Sequence, residues 1–341
     1  MTLKYLFVAV AWLAAVLGGM PAARAADTFG SVKASGLLRC GSDGAREDYT
    51  RLDAHGDLTD LANEICKAVA VAVLGPHART DLHVWPDEQH MLTSLRDGSS
   101  DLAIGATPTI ESETAFGVAF APPVFYDGQG FLVRDGIASV AELAGKQVCF
   151  MDDAMLGEHL RFAMRARNIA YLPFPFQEVG EMLAAAGDEH CAAISGNVSQ
   201  LRTLRAGFAP IGKRFKLLPT VLTQDPVAPT FRADDRRWGM IVAAVVNALL
   251  QADDSGVTAA NAEQMQASGN PAIQRLIGSR SIGAGRLIGL PDHWALAVIE
   301  AVGNYGEIYA RTLGADSGFE LPRGANQPWS RGGVMYALPL Y

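Results

Sequence analysis

The hydrophobic positions follow two alternating periodicities over the first three hundred residues. Short apolar runs bounded by turn residues predict strands at 36–41, 82–85 and 101–105. Apolar residues at helical spacing predict helices over 58–74 and 89–96. This strand-helix-strand-helix-strand order indicates a mostly parallel sheet covered by helices.

The pattern restarts farther along the chain. The second set of elements comprises helices at 139–143, 157–167 and 177–186 and strands at 147–151 and 191–195. Segments 126–130 and 223–226 are predicted to cross between the two halves, and a helix over 236–250 then returns to the first half. Another helix is expected between 291 and 302.

We therefore predict an α/β protein with two lobes, two strand crossovers and a C-terminal helical extension. Residues 26–128 and 226–341 would form lobe 1 with that extension, and residues 129–225 would form lobe 2. A cleft between two lobes is a common place for a small ligand.

The first 25 residues predict a secretory signal peptide. Lys4 precedes an apolar run over 6–17, and the segment ends in the small-x-small sequence at 23–25. An uncleaved anchor is the alternative, but the run is shorter than the ~20 residues that a spanning helix needs. Cleavage near Ala25 would leave 316 residues in the periplasm and remove Lys4 and Arg24, so that 26 basic residues face 36 acidic ones.

Composition narrows the function further. With 49% hydrophobic and 19% charged residues, the chain can bury a core. The formal net charge of −8 argues against nucleic acid as a partner, because phosphate recognition requires a basic surface.

Four cysteines are enough for two disulfides in an exported protein. Three connectivities are possible, and sequence alone does not select one. The simplest pairing is Cys40–Cys66 and Cys149–Cys191, one bridge in each lobe, since a bridge between lobes would lock the cleft. Free buried thiols are the alternative.

Catalytic signatures are missing from the sequence. It contains no two-histidine zinc motif, no Cys-x-x-Cys, no phosphate-binding loop and no Gly-x-Ser-x-Gly turn. The acidic pairs at 152–153, 234–235 and 253–254 are typical of solvated loops and helix caps. We therefore expect neither an enzyme nor a metal ion or cofactor.

Several long strings resemble one known family. They are residues 66–70 (CKAVA), 126–131 (YDGQGF), 303–307 (GNYGE), 321–324 (LPRG), Trp329 and 332–337 (GGVMYA). In these the chain resembles periplasmic solute-binding proteins of general L-amino-acid ABC uptake systems, from about residue 40 to its last residue. The resemblance implies a type II binding fold that closes around an amino acid and delivers it to a membrane permease, with no nucleic-acid partner and as a monomer. The four cysteines fall where this family carries its own.

The resemblance also implies how the ligand is held. The family grips the α-carboxylate with an arginine and hydroxyls, takes the ammonium group with an aspartate, and covers the side chain with an aromatic ring. The positions carried over are Tyr49, Thr107, Ser112, Asp153, Ala154 and Asn197. Tyr49 and Thr107 keep the aromatic ring and one hydroxyl, whereas Ser112 replaces the arginine and Asn197 replaces the aspartate. Asp153 and Ala154 stand where the second lobe's hydroxyl-bearing turn begins.

A pocket altered in this way leaves several hypotheses open. Serine lacks the bidentate grip of a guanidinium group, so the ligand is expected to be atypical. Arg46 or Arg51 would be a replacement cation unless both are surface residues. Acids at 113, 152 and 153 would instead favour a cationic ligand, unless they are solvated loop acids.

Two other functions compete with solute uptake. The first is a periplasmic sensor or interaction module of the same fold, with no tightly bound solute. The second is an enzyme on this fold, which would need a positioned acid or base that these positions do not supply.

Overall fold

The computed structural model describes residues 27–43, 61–207, 214–278, 280, 283–317 and 321–340. Its strands are β1 (Leu37–Asp43), β2 (Arg79–Trp85), β3 (Leu102–Ile104), β4 (Val118–Phe120), β5 (Phe125–Asp127), β6 (Gln129–Arg134), β7 (Gln147–Met151), β8 (Leu172–Phe176), β9 (Ala193–Asn197), β10 (Phe215–Leu217), β11 (Asp225–Val227) and β12 (Pro229–Arg232). Its α-helices are α1 (Thr28–Ser35), α2 (Leu61–Leu74), α3 (Glu88–Asp97), α4 (Ile110–Phe116), α5 (Ala154–Ala166), α6 (Val179–Gly187), α7 (Val198–Gly207), α8 (Arg236–Ser255), α9 (Ala262–Met265), α10 (Pro271–Leu276), α11 (Ala284–Ile288), α12 (Trp294–Val302) and α13 (Tyr305–Thr312).

The first sheet has the strand order β2-β1-β3-β12-β4. The three strands predicted for this half pair in parallel, as expected for strands joined by helices. Four of the five strands run in the same direction, in line with the mostly parallel sheet that was predicted, and β12 is the exception, because it lies antiparallel to both β3 and β4. This strand arrives from the second crossover and so enters the sheet in the opposite direction. We call the part built on this sheet, with the C-terminal helices, lobe 1.

The second sheet has the order β10-β6-β9-β7-β8 and forms lobe 2. β7 pairs in parallel with β8 and β9, whereas β6 pairs antiparallel with β9 and β10. β8 was not predicted. It contains Pro173 and Pro175, which are typical of sheet edges, and it lies at the edge of this sheet.

The two crossovers touch each other. β5 and β11 form an antiparallel two-stranded sheet in which Asp225 is opposite Asp127. The second crossover passes so close to Gly128 that a Cβ there would collide with the carbonyl oxygen of Thr223. Division of the chain into lobes at residues 128 and 226 stays a proposal, and this pairing supports it.

Two helices begin or end at residues other than those predicted from hydrophobic periodicity, because capping groups determine their ends. The helix predicted from 157 begins at Ala154, because Asp153 caps it by accepting a hydrogen bond of 2.9 Å from the Leu156 N–H group. The helix predicted over 236–250 continues to Ser255 and ends where Gly256 adopts a left-handed conformation. Among the described helices, none is both long and apolar enough to cross a membrane.

The larger core lies in lobe 1, where α8 and α2 pack against the sheet and against α12. Trp238 is fully buried there, and its indole N–H donates to the carbonyl oxygen of Asp101 at 2.8 Å. Each lobe holds one disulfide, which is the simplest of the three pairings: Cys40–Cys66 and Cys149–Cys191.

The C-terminal extension is fixed to lobe 1 by a buried ionic group. Asp253, at the end of α8, accepts from Arg323 at 2.7 Å and from Arg331 at 2.6 Å. Arg323 also lies over the rings of Tyr305 and Tyr309. Two cations around one buried carboxylate satisfy its charge and define where the last twenty residues run.

The extension also holds the start of the first crossover. The Asn326 side-chain amide pairs with the backbone of Tyr126: the Tyr126 N–H group donates at 2.7 Å, and Asn326 Nδ2 donates to the Tyr126 carbonyl at 2.9 Å. The Tyr305 hydroxyl donates to the carbonyl oxygen of Val124 at 2.6 Å. The edge of β5 that does not face β11 is thereby satisfied by side chains of the extension.

Asn326→Ala should lower the free energy of unfolding by about 1–2 kcal/mol, because it leaves the part-buried backbone groups of Tyr126 without these partners. Urea denaturation measures this loss. Ser330→Ala is the matched control, since Ser330 is exposed in the same extension and bonds only the exposed Asp254. A loss of less than about 0.5 kcal/mol in both variants would mean that the hydrogen bonds between Asn326 and Tyr126 do not stabilise the protein.

Alkaline pH should destabilise the protein through Tyr305. Burial raises the pKa of its hydroxyl well above the ordinary value of 10. The pKa of this hydroxyl is higher in the folded than in the unfolded protein. The contribution of Tyr305 to the free energy of unfolding is therefore constant below about pH 10 and falls above it, as the phenol ionises in the unfolded chain. Urea denaturation between pH 9 and 12 measures the slope. The free energy of unfolding of Tyr305→Phe should fall less steeply with pH than that of the parent. Equal slopes would contradict the role of Tyr305 in the alkaline loss of stability.

Candidate functional site

A cleft of about 740 Å³ opens between the two lobes. Lobe 1 contributes residues of α3, of α4 and of the segment after β3, and lobe 2 contributes the end of β7, the start of α5 and the end of β9. The floor includes Asp225 of the second crossover. The cleft therefore lies where the fold predicts it, along the carboxyl ends of parallel strands in both sheets.

Four of the six positions carried over as ligand-binding line this cleft together: Thr107, Ser112, Asp153 and Asn197. Ala154 is exposed at the start of α5 and is not in the lining. Tyr49 lies outside the described residues, as do Arg46 and Arg51.

On the lobe 1 wall, the hydroxyl of Ser112 is already engaged. Thr109 caps α4 by accepting from the Ser112 N–H group at 3.0 Å, and its own hydroxyl donates to Ser112 Oγ at 2.8 Å. Ser112 is 8% exposed, so it presents little surface to the cleft. The position that holds an arginine in the family pattern thus serves here as part of a helix cap.

On the lobe 2 wall, Asp153 and Asn197 mark the ends of two elements. Asp153 is exposed, and one of its oxygens caps α5. Asn197 is the last residue of β9 and is half-buried, directly before α7. An amide at this position offers a donor and an acceptor but no charge.

Carboxylates outnumber basic side chains in the described lining of the cleft. Its lining contains four carboxylates and no lysine or arginine; the carboxylates are Glu88, Glu111, Asp153 and Asp225. His159 is also in the lining. A cleft with such walls concentrates negative potential and favours a cationic group in a ligand.

Of the three acidic residues that the sequence suggested for the cleft, only one lines it. Asp153 lines the cleft, whereas Asp152 is exposed and accepts from Gln177 at 2.6 Å, and Glu113 is exposed on α4. Neither Asp152 nor Glu113 belongs to the lining.

Sequence reasoning missed Asp225. It lay within the predicted second crossover, but only the pairing of β11 with β5 places it on the floor of the cleft. Its Oδ2 accepts from the Thr223 hydroxyl at 2.7 Å, and Thr223 Oγ1 accepts from the Gln129 N–H group at 2.8 Å. This short chain of hydrogen bonds joins a cleft carboxylate to both crossovers.

Gln129 is a second residue without a predicted role. It is fully buried, and its side-chain nitrogen donates to the Leu156 carbonyl and to Ser195 Oγ, each at 3.0 Å. Its Oε1 atom has no hydrogen-bond partner among the described residues. Because Leu156 lines the cleft, this amide lies directly behind the lobe 2 wall.

Outside the cleft, a cavity of about 540 Å³ lies where the two crossovers meet residues 321–326 of the extension. Among the described residues, no group of three or more histidine, cysteine, aspartate or glutamate side chains is placed to hold a metal ion.

Comparison with known proteins shows similarity along nearly the whole chain. The chain is 34% identical over 331 residues to the general L-amino acid-binding periplasmic protein AapJ of Rhizobium johnstonii, covering 96% of both chains. It is 34% identical over 335 residues to the glutamate/glutamine/aspartate/asparagine-binding protein BztA of Rhodobacter capsulatus, again covering 96% of each. No family model matches.

A solved structure is similar over the same extent. It is an ABC transporter periplasmic binding protein from Brucella ovis with glutathione bound. The TM-score is 0.79 at 33% sequence identity, and the match covers 93% of this chain and all of the other.

Proposed function

We propose a ligand class on the premise that the chain belongs to the family of periplasmic amino-acid-binding proteins of ABC transporters. The resemblance drawn from the sequence is thereby confirmed, and so is the two-lobed α/β binding fold. The protein is the binding component of an uptake system of this amino-acid type. Its relatives are periplasmic, which gives this chain the same compartment, whereas cleavage near Ala25 stays a prediction.

The proposed ligand is an amino-acid-derived solute that carries an ammonium or other cationic group and is not held by a free α-carboxylate. The carboxylate-rich lining of the cleft, with no lysine or arginine among its described residues, is the observation that carries this proposal. An anionic group placed among these side chains would be repelled, whereas a cationic one would be attracted.

Replacement of the family's two charged partners supports the same conclusion. A buried α-carboxylate needs a charge-assisted donor, whereas Ser112 supplies only a neutral hydroxyl, whose oxygen already accepts from Thr109. Loss of one buried charge partner typically costs 2–5 kcal/mol, or about 30-fold to several thousandfold in affinity. Asn197 removes the second charge, so a free zwitterion loses partners at both ends.

The size of the cleft fits a ligand larger than a single small amino acid. Its volume of about 740 Å³ falls within the range of roughly 300–1,000 Å³ typical of sites for drug-sized molecules. The Brucella ovis neighbour holds glutathione, a tripeptide. Glutathione itself carries two carboxylates and one ammonium group, so it fits the acidic lining of this chain less well than a cationic derivative does.

In this role the lobes close around the solute and the complex delivers it to an inner-membrane ABC permease. The protein acts as a monomer and catalyses no reaction. The alternative, a sensor or interaction module, is favoured by the same missing partners, and native mass spectrometry of protein purified from its own periplasm separates the two. A co-purified solute supports uptake, whereas a solute-free mass with a co-purified protein supports the module.

Binding of L-amino-acid carboxamides should exceed that of the corresponding free acids. The carboxamide keeps the ammonium group and replaces the carboxylate by a neutral amide, which the acidic lining no longer repels. Titration calorimetry with the twenty amino acids, their carboxamides and glutathione measures this difference, which we expect to be at least tenfold. Submicromolar binding of several neutral free amino acids would contradict the proposal.

The double variant Ser112→Arg, Asn197→Asp should gain affinity for free neutral amino acids by at least tenfold, since it restores a cation and an anion at the family's positions. Calorimetry with L-glutamine as the probe measures the gain. Ser112→Lys, Asn197→Asp is the control, because lysine supplies the charge without the bidentate geometry. No gain in either variant would mean that these positions do not face the ligand.

A further inference from the structure

Asp225 occupies a place in the cleft that the other lining carboxylates do not share. It lies on the second crossover rather than on a lobe, and it is half-buried. Glu111 and Asp153 are exposed on the walls, and Asp153 already caps a helix, whereas Glu88 is half-buried on α3 and has an interaction partner. A carboxylate on the floor stays in the cleft whichever way the lobes move.

The charge of Asp225 is not neutralised by the contact that holds it. Its bonded partner is a neutral hydroxyl, that of Thr223, which leaves the second carboxylate oxygen directed away from this bond. By contrast, the buried Asp253 is paired with two arginines. No described lysine, arginine or histidine lies within ion-pair distance of Asp225.

We propose that Asp225 is the acceptor for the solute's cationic group, and that it couples occupancy of the cleft to closure of the lobes. This inference rests on the proposed function and names the residue that takes over from the family's aspartate, whose position is Asn197 here.

The coupling follows from desolvation. When the lobes close, a half-buried carboxylate loses water, and an unpaired buried charge is strongly disfavoured. A cation bound to Asp225 removes that cost in the closed form and has no comparable effect in the open form. The ligand therefore shifts the equilibrium toward closure by its difference in affinity for the two forms.

Hydrogen bonds connect the carboxylate of Asp225 to the first crossover. Thr223 binds Asp225 through its hydroxyl and accepts from the backbone N–H group of Gln129, at the start of lobe 2. A cation that pulls on the carboxylate consequently acts on both crossovers and not on one wall alone.

Asp225→Asn tests the inference with L-lysinamide as the probe, a dication without a carboxylate. The amide oxygen still accepts from Thr223, so the hinge keeps its hydrogen bond while the charge is lost. We expect affinity to fall by at least about 30-fold. Glu113→Gln, the matched control, should lose less than about threefold, because Glu113 is exposed on α4 outside the lining of the cleft.

Small-angle scattering of the empty proteins supplies a second measurement. Asp225→Asn should be more compact than the parent or Glu113→Gln, since closure no longer buries an unpaired charge. The inference is overturned if the parent binds L-lysinamide and Asp225→Asn loses no more affinity than Glu113→Gln. If the parent binds neither L-lysinamide nor any other cationic probe, the proposed function fails, and this inference falls with it.

Discussion

The pairing of the two crossovers is the constraint on which the rest of this structure depends. β5 and β11 lie side by side, and each end of the first crossover is fixed to a different body. Tyr126 is clasped by Asn326 of the extension, whereas the carboxylate of Asp127 accepts from the Ser199 hydroxyl of lobe 2 at 2.5 Å. Asp127 and Gly128 therefore connect two parts that are held separately, and only glycine at position 128 leaves room for Thr223 of the second crossover.

That constraint also determines which charges can control closure. Carboxylates on the walls contribute to the negative potential of the cleft, but each of them moves with its own lobe. Asp225 belongs to the crossovers themselves and lies at the one part of the cleft that both lobes share. The proposal that Asp225 connects binding of the solute to closure rests on this shared position.

Periodicity was sufficient to predict the repeated α/β halves and the two crossovers, whereas an acidic cleft was only one of the alternatives that the sequence left open. Periodicity failed where the decisive contact is distant in sequence. The strand β12 joins the first sheet from more than a hundred residues away, so its antiparallel direction depends on the crossover and not on its own residues. The resemblance located Ser112 and Asn197. Only the structure shows that the Thr109 hydroxyl donates to Ser112 and that Asp225 lies on the floor of the cleft.

Several of the sequence segments shared with the family make stabilising contacts in the structure. Tyr305 and Arg323 lie in two of these segments and hold the extension against the first crossover, and residues 126–131 include the crossover itself. The positions that grip a zwitterion in the family differ here, at Ser112 and Asn197. The chain thus keeps the contacts that hold the extension against the first crossover and differs at two positions that the resemblance assigns to the ligand. The proposed change in the charge of the solute rests on this difference, because Tyr305, Arg323 and Asn326 lie outside the lining of the cleft and place no demand on that charge.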